Sequence, residues 1–142
     1  MKKLIIASLL IVAMALPSFA QSFKPTTLNG GTNFIAATAT NTYTGVTVVA
    51  LRSRMVTLQP SFALTGAGTS AVTFTVNGST DGAIYTNGIT RMPVTANGTN
   101  VVSGLFTIDT GGYTFISIGT GENLNATVAT NVTVNAGMKQ GL

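Results

Sequence analysis

The chain has 142 residues, with seven Lys or Arg, three Asp or Glu, and neither His nor Cys. Mechanisms that need a catalytic His or Cys, zinc sites built from these residues, and disulfide bonds are therefore excluded. The few basic residues are scattered along the chain rather than clustered, which argues against a nucleic-acid partner.

The first twenty residues have the three parts of a secretory signal peptide. Lys2 and Lys3 precede an uncharged apolar run over 4–16, and small residues precede a cleavage point after Ala20. The apolar run is shorter than the roughly 18 residues that cross a bilayer as a helix. We therefore expect residues 1–20 to be cleaved and the protein to contact the membrane only during export. An uncleaved N-terminal anchor is the alternative.

Residues 21–42 are predicted to form an extended arm, because Lys24-Pro25 and Asn29-Gly30-Gly31 interrupt any regular pattern. A strand is expected late in this arm, over 34–39. Two hypotheses follow for the arm. It pairs within its own domain, or it completes the sheet of a neighbouring subunit by strand addition.

Residues 43–142 are predicted to form one β-domain, because apolar and polar residues alternate at a period of two between Gly-, Asn- and Asp-rich turns. Pro60 cannot donate to a ladder, so its strand is predicted to be an edge strand or to carry a bulge. Gly119–Asn123 is predicted to be a hairpin turn. The predicted strands are 43–51, 55–64, 71–76, 89–94, 101–108 (broken at Gly104), 113–118 (central, covered on both faces) and 124–136.

Seven or eight short strands with regularly spaced turns predict an all-β fold. We expect an antiparallel β-sandwich, of jelly-roll type, with an open barrel as the alternative. No segment after residue 20 has apolar residues at helical spacing.

The acidic residues Asp81, Asp109 and Glu122 each lie in a Gly-rich stretch. Such acids commonly cap their own backbone turns, and paired carboxylates for acid–base catalysis are absent. Calcium held by Asp81 or Asp109 with turn carbonyls is conceivable, but no two acids have the spacing of a calcium loop. We therefore predict no catalytic residues, no metal and no cofactor.

Five residues are candidates for ligand or interface contacts. Tyr85 and Asn87 follow the Asp81 turn, where an exposed ring beside polar groups would suit a glycan. The competing interpretation is that Tyr85 covers the end of the core. Arg52 and Arg54 share a strand face, where edge charges that oppose aggregation explain them more simply than a ligand site does.

The run 61–82, which leads from a strand into Ser79-Thr80-Asp81-Gly82, resembles the β-sandwich accessory proteins of tailed-phage virions and prophages. Gly112-Tyr113 opening a strand, followed by a Thr/Val-rich segment over 125–135, fits the same order. The resemblance implies a structural role in a virion. A signal peptide is unusual for such a protein, which leaves a host cell-surface role open.

The sequence therefore predicts an exported, non-enzymatic structural subunit of a larger assembly, on a virion or on a cell-surface appendage. Its expected partners are other protein subunits, either copies of itself or virion or appendage proteins. The alternative is a secreted carbohydrate-binding or adhesion module that contacts surface glycans.

Overall fold

A computed structural model describes residues 26–27, 33–43, 47–49 and 55–138, and all regular structure in these ranges is β-strand. The predicted signal peptide and the candidates Arg52 and Arg54 lie outside the described residues. The strand segments are β1 (Thr26–Thr27), β2 (Phe34–Ile35), β3 (Ala39–Thr42), β4 (Thr47–Val49), β5 (Met55–Leu64), β6 (Ala71–Ser79), β7 (Thr86–Thr95), β8 (Val102–Ser103), β9 (Phe106–Asp109), β10 (Phe115–Asn123) and β11 (Ala129–Met138).

The described strands form two antiparallel sheets. In the first sheet, β1 and β2 both pair with β11, β11 pairs with β5, and β5 pairs with β8 and β9. In the second sheet, β3 and β4 both pair with β10, β10 pairs with β6, and β6 pairs with β7. If β1 and β2, β3 and β4, and β8 and β9 are each counted as one strand, eight strands remain, numbered 1 to 8 along the chain. Their orders are 1-8-3-6 in the first sheet and 2-7-4-5 in the second. This is the double-sheet order of a jelly roll, so the predicted fold class is confirmed.

The core lies between the two sheets and follows from alternation in the long strands. On β5 and β6, every second residue is apolar and points inward, as the period of a strand requires. The fully buried large side chains are Ile35, Val56, Leu58, Phe62, Val72, Phe74, Val76, Met92, Ile116, Ile118 and Val132.

Gly119–Asn123 is not a turn, and this prediction is wrong. These residues are the second half of β10, the central strand between β6 and β3/β4, with a bulge after Ile118. Their glycines serve close packing: a Cβ at Gly119 would lie 2.5 Å from Nδ2 of Asn77, and one at Gly121 2.8 Å from Cδ1 of Ile35. The inner face of β10 is buried, whereas its outer face is half-buried.

The predicted strand over 124–136 begins five residues later, at Ala129. Leu124 is 58% exposed and belongs to a loop. Asn131 has a positive φ of 52° where the register with β5 shifts. This bulge adds a residue, so Thr130 faces outward instead of sharing the inward face of Val132 and Val134.

Both prolines of the long strands occupy positions that spare the ladders. Pro60 lies on β5, which is not an edge strand. The neighbouring edge is broken between β8 and β9, and the backbone N–H of Gly104 donates to the Pro60 carbonyl (3.0 Å). Pro93 lies inside β7, which runs from Thr86 to Thr95 and is longer than the predicted strand over 89–94. Among the described strands β7 pairs only with β6. The nitrogen of Pro93, which carries no hydrogen, can therefore face the unpaired side of β7.

The described parts of the predicted arm pair with strands of this chain. Thr26–Thr27 and Phe34–Ile35 lie along β11, and Ala39–Thr42 lies along β10. Of the strand predicted over 43–51, the structure describes Tyr43 and Thr47–Val49, which pairs with β10.

The loops gather at the two ends of the sandwich. We call one the Asn125 end (36–38, 65–70, 96–101 and 124–128) and the other the Asp81 end (80–85 and 110–114). Thr26 and Met138, the first and last described residues, are both at or near the Asp81 end, because β1 and β11 pair there. Only one described pair of strands, β6 and β7, is both consecutive in the chain and adjacent in a sheet.

Candidate functional site

The β6–β7 hairpin turn is held by the side chains of Ser79 and Asp81. Asp81 Oδ1 accepts hydrogen bonds from the backbone N–H groups of Ala83 (2.8 Å) and Ile84 (3.0 Å) and from the Ser79 hydroxyl (2.9 Å). The Ser79 Oγ accepts in turn from the backbone N–H of Gly82 (2.9 Å). These donors favour the ionised carboxylate and lower the Asp81 pKa from 3.8 to about 2.

This arrangement commits Asp81 to its own turn. Gly82 has a φ of 77°, and a Cβ there would lie 3.4 Å from the Phe115 ring, so the turn packs on the start of β10. Ile84 is 79% exposed at the tip. The Ser-x-Asp-Gly sequence therefore forms a hydrogen-bonded turn that projects the Ile84 side chain into solvent.

Tyr85 and Asn87 lie just beyond this turn, at the start of the returning strand. Tyr85 is half-buried and Asn87 is exposed. The neighbouring Gly88 has a φ of 70°, and its backbone N–H donates to Oδ1 of Asn77 (3.0 Å). The structure thus brings three of the five candidate residues, Asp81, Tyr85 and Asn87, to one hairpin.

A second turn completes the Asp81 end. Asp109 Oδ1 accepts from the backbone N–H of Gly111 (2.8 Å), and the Tyr113 N–H donates to the Thr110 carbonyl (2.8 Å). The Tyr113 ring covers Gly78, where a Cβ would lie 2.7 Å from the ring. Asp109 thus also caps its own turn. Within the described ranges, no three acidic, His or Cys side chains come close enough to hold a metal ion.

The remaining two charged side chains of the described residues neutralise each other. Arg91 on β7 and Glu122 on β10 form an ion pair of 3.3 Å across the outer face of the second sheet, with side chains 68% and 36% exposed. An exposed pair of this kind contributes little to stability. Its effect here is to leave that face without net charge.

The outer faces of both sheets are rows of hydroxyl and amide side chains. On the second sheet, Thr42, Thr120 and Thr75 lie side by side on three adjacent strands. On the first sheet, Ser61 and Thr133 are hydrogen bonded across β5 and β11 (2.7 Å). The other polar members are Thr40, Thr73, Asn77 and Ser117 on the second sheet, and Thr57, Gln59, Ser103, Thr107, Thr130 and Asn135 on the first.

The Asn125 end is organised by two buried asparagines that sequence reasoning missed. Asn123 Nδ2 donates to the carbonyls of Ala36 (3.1 Å) and Thr127 (2.8 Å), and its Oδ1 accepts from both the backbone N–H and Nδ2 of Asn125 (3.0 Å each). Asn125 also exchanges two hydrogen bonds of 2.9 Å with the backbone of Ser70. The available signal was the Asn-x-Asn spacing, which suits an Asx turn at the exit of a strand.

Backbone hydrogen bonds join all four loops of this end. They run from Thr38 to Asn125 (3.0 Å), from Thr65 to Val128 (2.9 Å) and from Gly98 to Gly68 (3.0 Å). The end is therefore one bonded unit rather than four independent loops.

Two buried side-chain oxygens have no hydrogen-bond partner among the described residues, the hydroxyls of Tyr43 and Thr127. Tyr43 is 8% exposed, and burial raises its pKa to about 12. The hydroxyl would lie 2.9 Å from a Cβ at Gly121. It therefore packs against the backbone of β10 and is not available for proton transfer near neutral pH.

Comparison with known proteins leaves the family open. No family model matches the chain, and no curated protein matches its sequence. The chain is similar to a solved structure described as "Family 16 Carbohydrate Binding Module-2", with a TM-score of 0.38 and 14% identity over 82% of this chain and 83% of that chain. A likeness this distant transfers no function. No helix long and apolar enough to cross a bilayer occurs in the described part of the chain.

Proposed function

We propose that this protein is an exported, non-enzymatic structural subunit that packs against other proteins in a larger assembly. The assembly is a virion or a cell-surface appendage. Export is inferred from the signal-peptide pattern of residues 1–20.

One observation carries the proposal: every charged side chain in the described residues is bonded within the chain. Asp81 and Asp109 hold their own turns, and Arg91 pairs with Glu122. General acid–base catalysis requires a carboxylate or base that can reach a substrate proton, and ion binding requires convergent ligands. The described residues supply neither arrangement.

The outer sheet faces support packing against protein. The cores of protein interfaces are depleted in charge, and hydroxyl and amide groups can be paired across an interface at low desolvation cost compared with charges. Thr75, Thr120, Ser61 and Thr133 are typical of these faces. The jelly roll itself is compatible with capsid and lectin domains alike, so the fold does not choose between them.

Fractionation and mass measurement test this proposal together. Light scattering on residues 21–142 should give a mass above that of the monomer, and the native protein should co-sediment with virions or sheared appendages of the producing cells. A strict monomer at high concentration, found only in the particle-free supernatant, would contradict the proposal.

A glycan-binding role is the second candidate, and the half-buried ring of Tyr85 beside the exposed amide of Asn87 favours it. A Tyr85→Ala variant that keeps the parent's melting temperature should then lose binding on a glycan array. Binding equal to that of the parent, or no binding by the parent itself, would rule this candidate out.

A further inference from the structure

We propose that the protein forms a two-fold symmetric dimer through its Asn125 end, so that the partner at this surface is a second copy of this chain. The inference rests on the proposed role as an assembly subunit and specifies its first contact.

Charge distinguishes this end from the other. In a two-fold contact the patch of one copy faces the same patch of the other, so a patch whose charges all have one sign meets that sign again. The four loops of the Asn125 end contain no Asp, Glu, Lys or Arg. The Asp81 end carries Asp81 itself, which stays ionised above a pH of about 2, and Asp109 borders it. Among the described residues, those of the Asn125 end can therefore meet their copy without like-charge repulsion, whereas those at the Asp81 end bring carboxylates together.

Exposed apolar side chains supply a driving force at the same end. Val101 is 72% exposed and Leu124 is 58% exposed, on two different loops. Phe34, 53% exposed on the neighbouring outer face, lies beside Thr130 where β11 begins. Burial of such side chains against a partner stabilises association by about 25 cal/mol per Å² of apolar surface.

The hydrogen-bond network prepares this surface for binding. Asn123 and Asn125 tie the loops at 36–38, 65–70 and 124–128 together, and the Gly98–Gly68 bond adds the fourth. A surface that is already ordered loses little conformational entropy on association. A stable interface of average size needs about 800 Å² from each partner, roughly a tenth of the 8809 Å² accessible to the chain.

The first and last described residues lie away from this end. Thr26 and Met138 are toward the Asp81 end of the sandwich. Two copies can therefore meet at their Asn125 ends without displacing either of these residues.

Sedimentation equilibrium with charge substitutions tests the dimer. Leu124→Lys and Val101→Lys each place like charges across the proposed two-fold contact, and we expect each to raise the dimer dissociation constant at least about tenfold. The matched control is Ile84→Lys, at an aliphatic residue of the Asp81 end that is 79% exposed, and it should leave the constant unchanged. Melting temperatures close to that of the parent establish that each variant is folded.

Spin labels locate the contact independently, because the chain has no cysteine of its own. A strand of nine residues spans about 30 Å. Labels on Leu124→Cys should therefore lie within about 30 Å of each other across the dimer, and labels on Ile84→Cys about 60 Å or more apart.

The outcomes separate this inference from the proposed function. Association that both lysine variants leave intact, or short distances only between Ile84 labels, would overturn the Asn125-end dimer while the subunit role stands. A parent chain that is monomeric yet co-sediments with particles would do the same. A monomer absent from particles would overturn both.

Discussion

The two ends of the sandwich solve the same problem with different chemistry. Each must satisfy the backbone groups of the loops that connect its strands. The Asp81 end uses charged carboxylates, each bonded to N–H groups within two or three residues. The Asn125 end uses neutral amides that reach across 55 and 87 residues of sequence. An amide both donates and accepts, so it can bridge separate loops, whereas a carboxylate only accepts.

This difference teaches that local and long-range capping leave different surfaces behind. A carboxylate that caps its own turn keeps its charge in solvent and repels the same carboxylate of a second copy. A buried amide network leaves the loops neutral, and the exposed residues above it, such as Leu124, remain available to a partner.

The largest effect should come from Asn123 at the Asn125 end. Asn123→Ala leaves the N–H groups of Asn125 and the carbonyls of Ala36 and Thr127 without this partner in a buried site. We expect the free energy of unfolding in urea to fall by about 3 kcal/mol. Asn100→Ala, at an exposed position of the same end, should change it by less than about 0.5 kcal/mol. Equal losses would show that the network contributes nothing special.

Packing at the Asp81 end should give the next largest effect. Gly78→Ala places a Cβ 2.7 Å from the Tyr113 ring, so the ring must shift. We expect unfolding to become easier by about 2 kcal/mol. Gly112→Ala, in the same end but with no atom within 4 Å of its Cβ, is the control and should be nearly neutral. Equal free energies of unfolding for the two variants would contradict the packing explanation.

Tyr43 allows the same stability measurement in the core, away from both ends. Tyr43→Phe removes a buried hydroxyl that has no partner among the described residues. We expect the free energy of unfolding to rise by about 1 kcal/mol, since the cost of an unpaired polar group disappears. A loss of stability instead would mean that the hydroxyl is paired in solution.

The smallest expected effect is a pH dependence confined to the Asp81 end. The folded-state pKa of Asp81, about 2, lies below its ordinary value of 3.8. Its stabilisation is therefore complete above pH 3.8 and is lost as the pH falls towards 2. Melting curves of the parent and Asp81→Ala should differ above pH 4 and converge towards pH 2.

Asn100→Ala is the control for that series, since the Asn125 end has no titratable side chain. Its melting temperature should follow the parent's at every pH. A difference in melting temperature between the parent and Asp81→Ala that stays constant from pH 5 to pH 2 would show that the ionised carboxylate does not cause the stabilisation.

Strand alternation was enough to predict the sandwich, and long-range contacts explain what it missed. The inward residues of β5 and β6 follow from a period of two. Gly119 and Gly121 carry a turn signal in sequence, but their small size serves Asn77 and Ile35, which are distant in the chain. The partners of Asn123 are likewise set by topology, so no local pattern reveals them. The turn around Asp81, whose bonds are all local, was accessible from sequence.

The pairing order also has a consequence for how fast the chain folds. Apart from β6 and β7, no described strand pairs with its immediate neighbour in sequence. Folding rates fall as the sequence separation of contacting residues grows, because loop closure precedes the contacts that reward it. The hairpin closed by Ser79 and Asp81 is thus the one sheet pairing that can form early, and the other pairings should follow slowly. For the export proposed above, slow folding would keep the chain unfolded long enough to be threaded through an export channel.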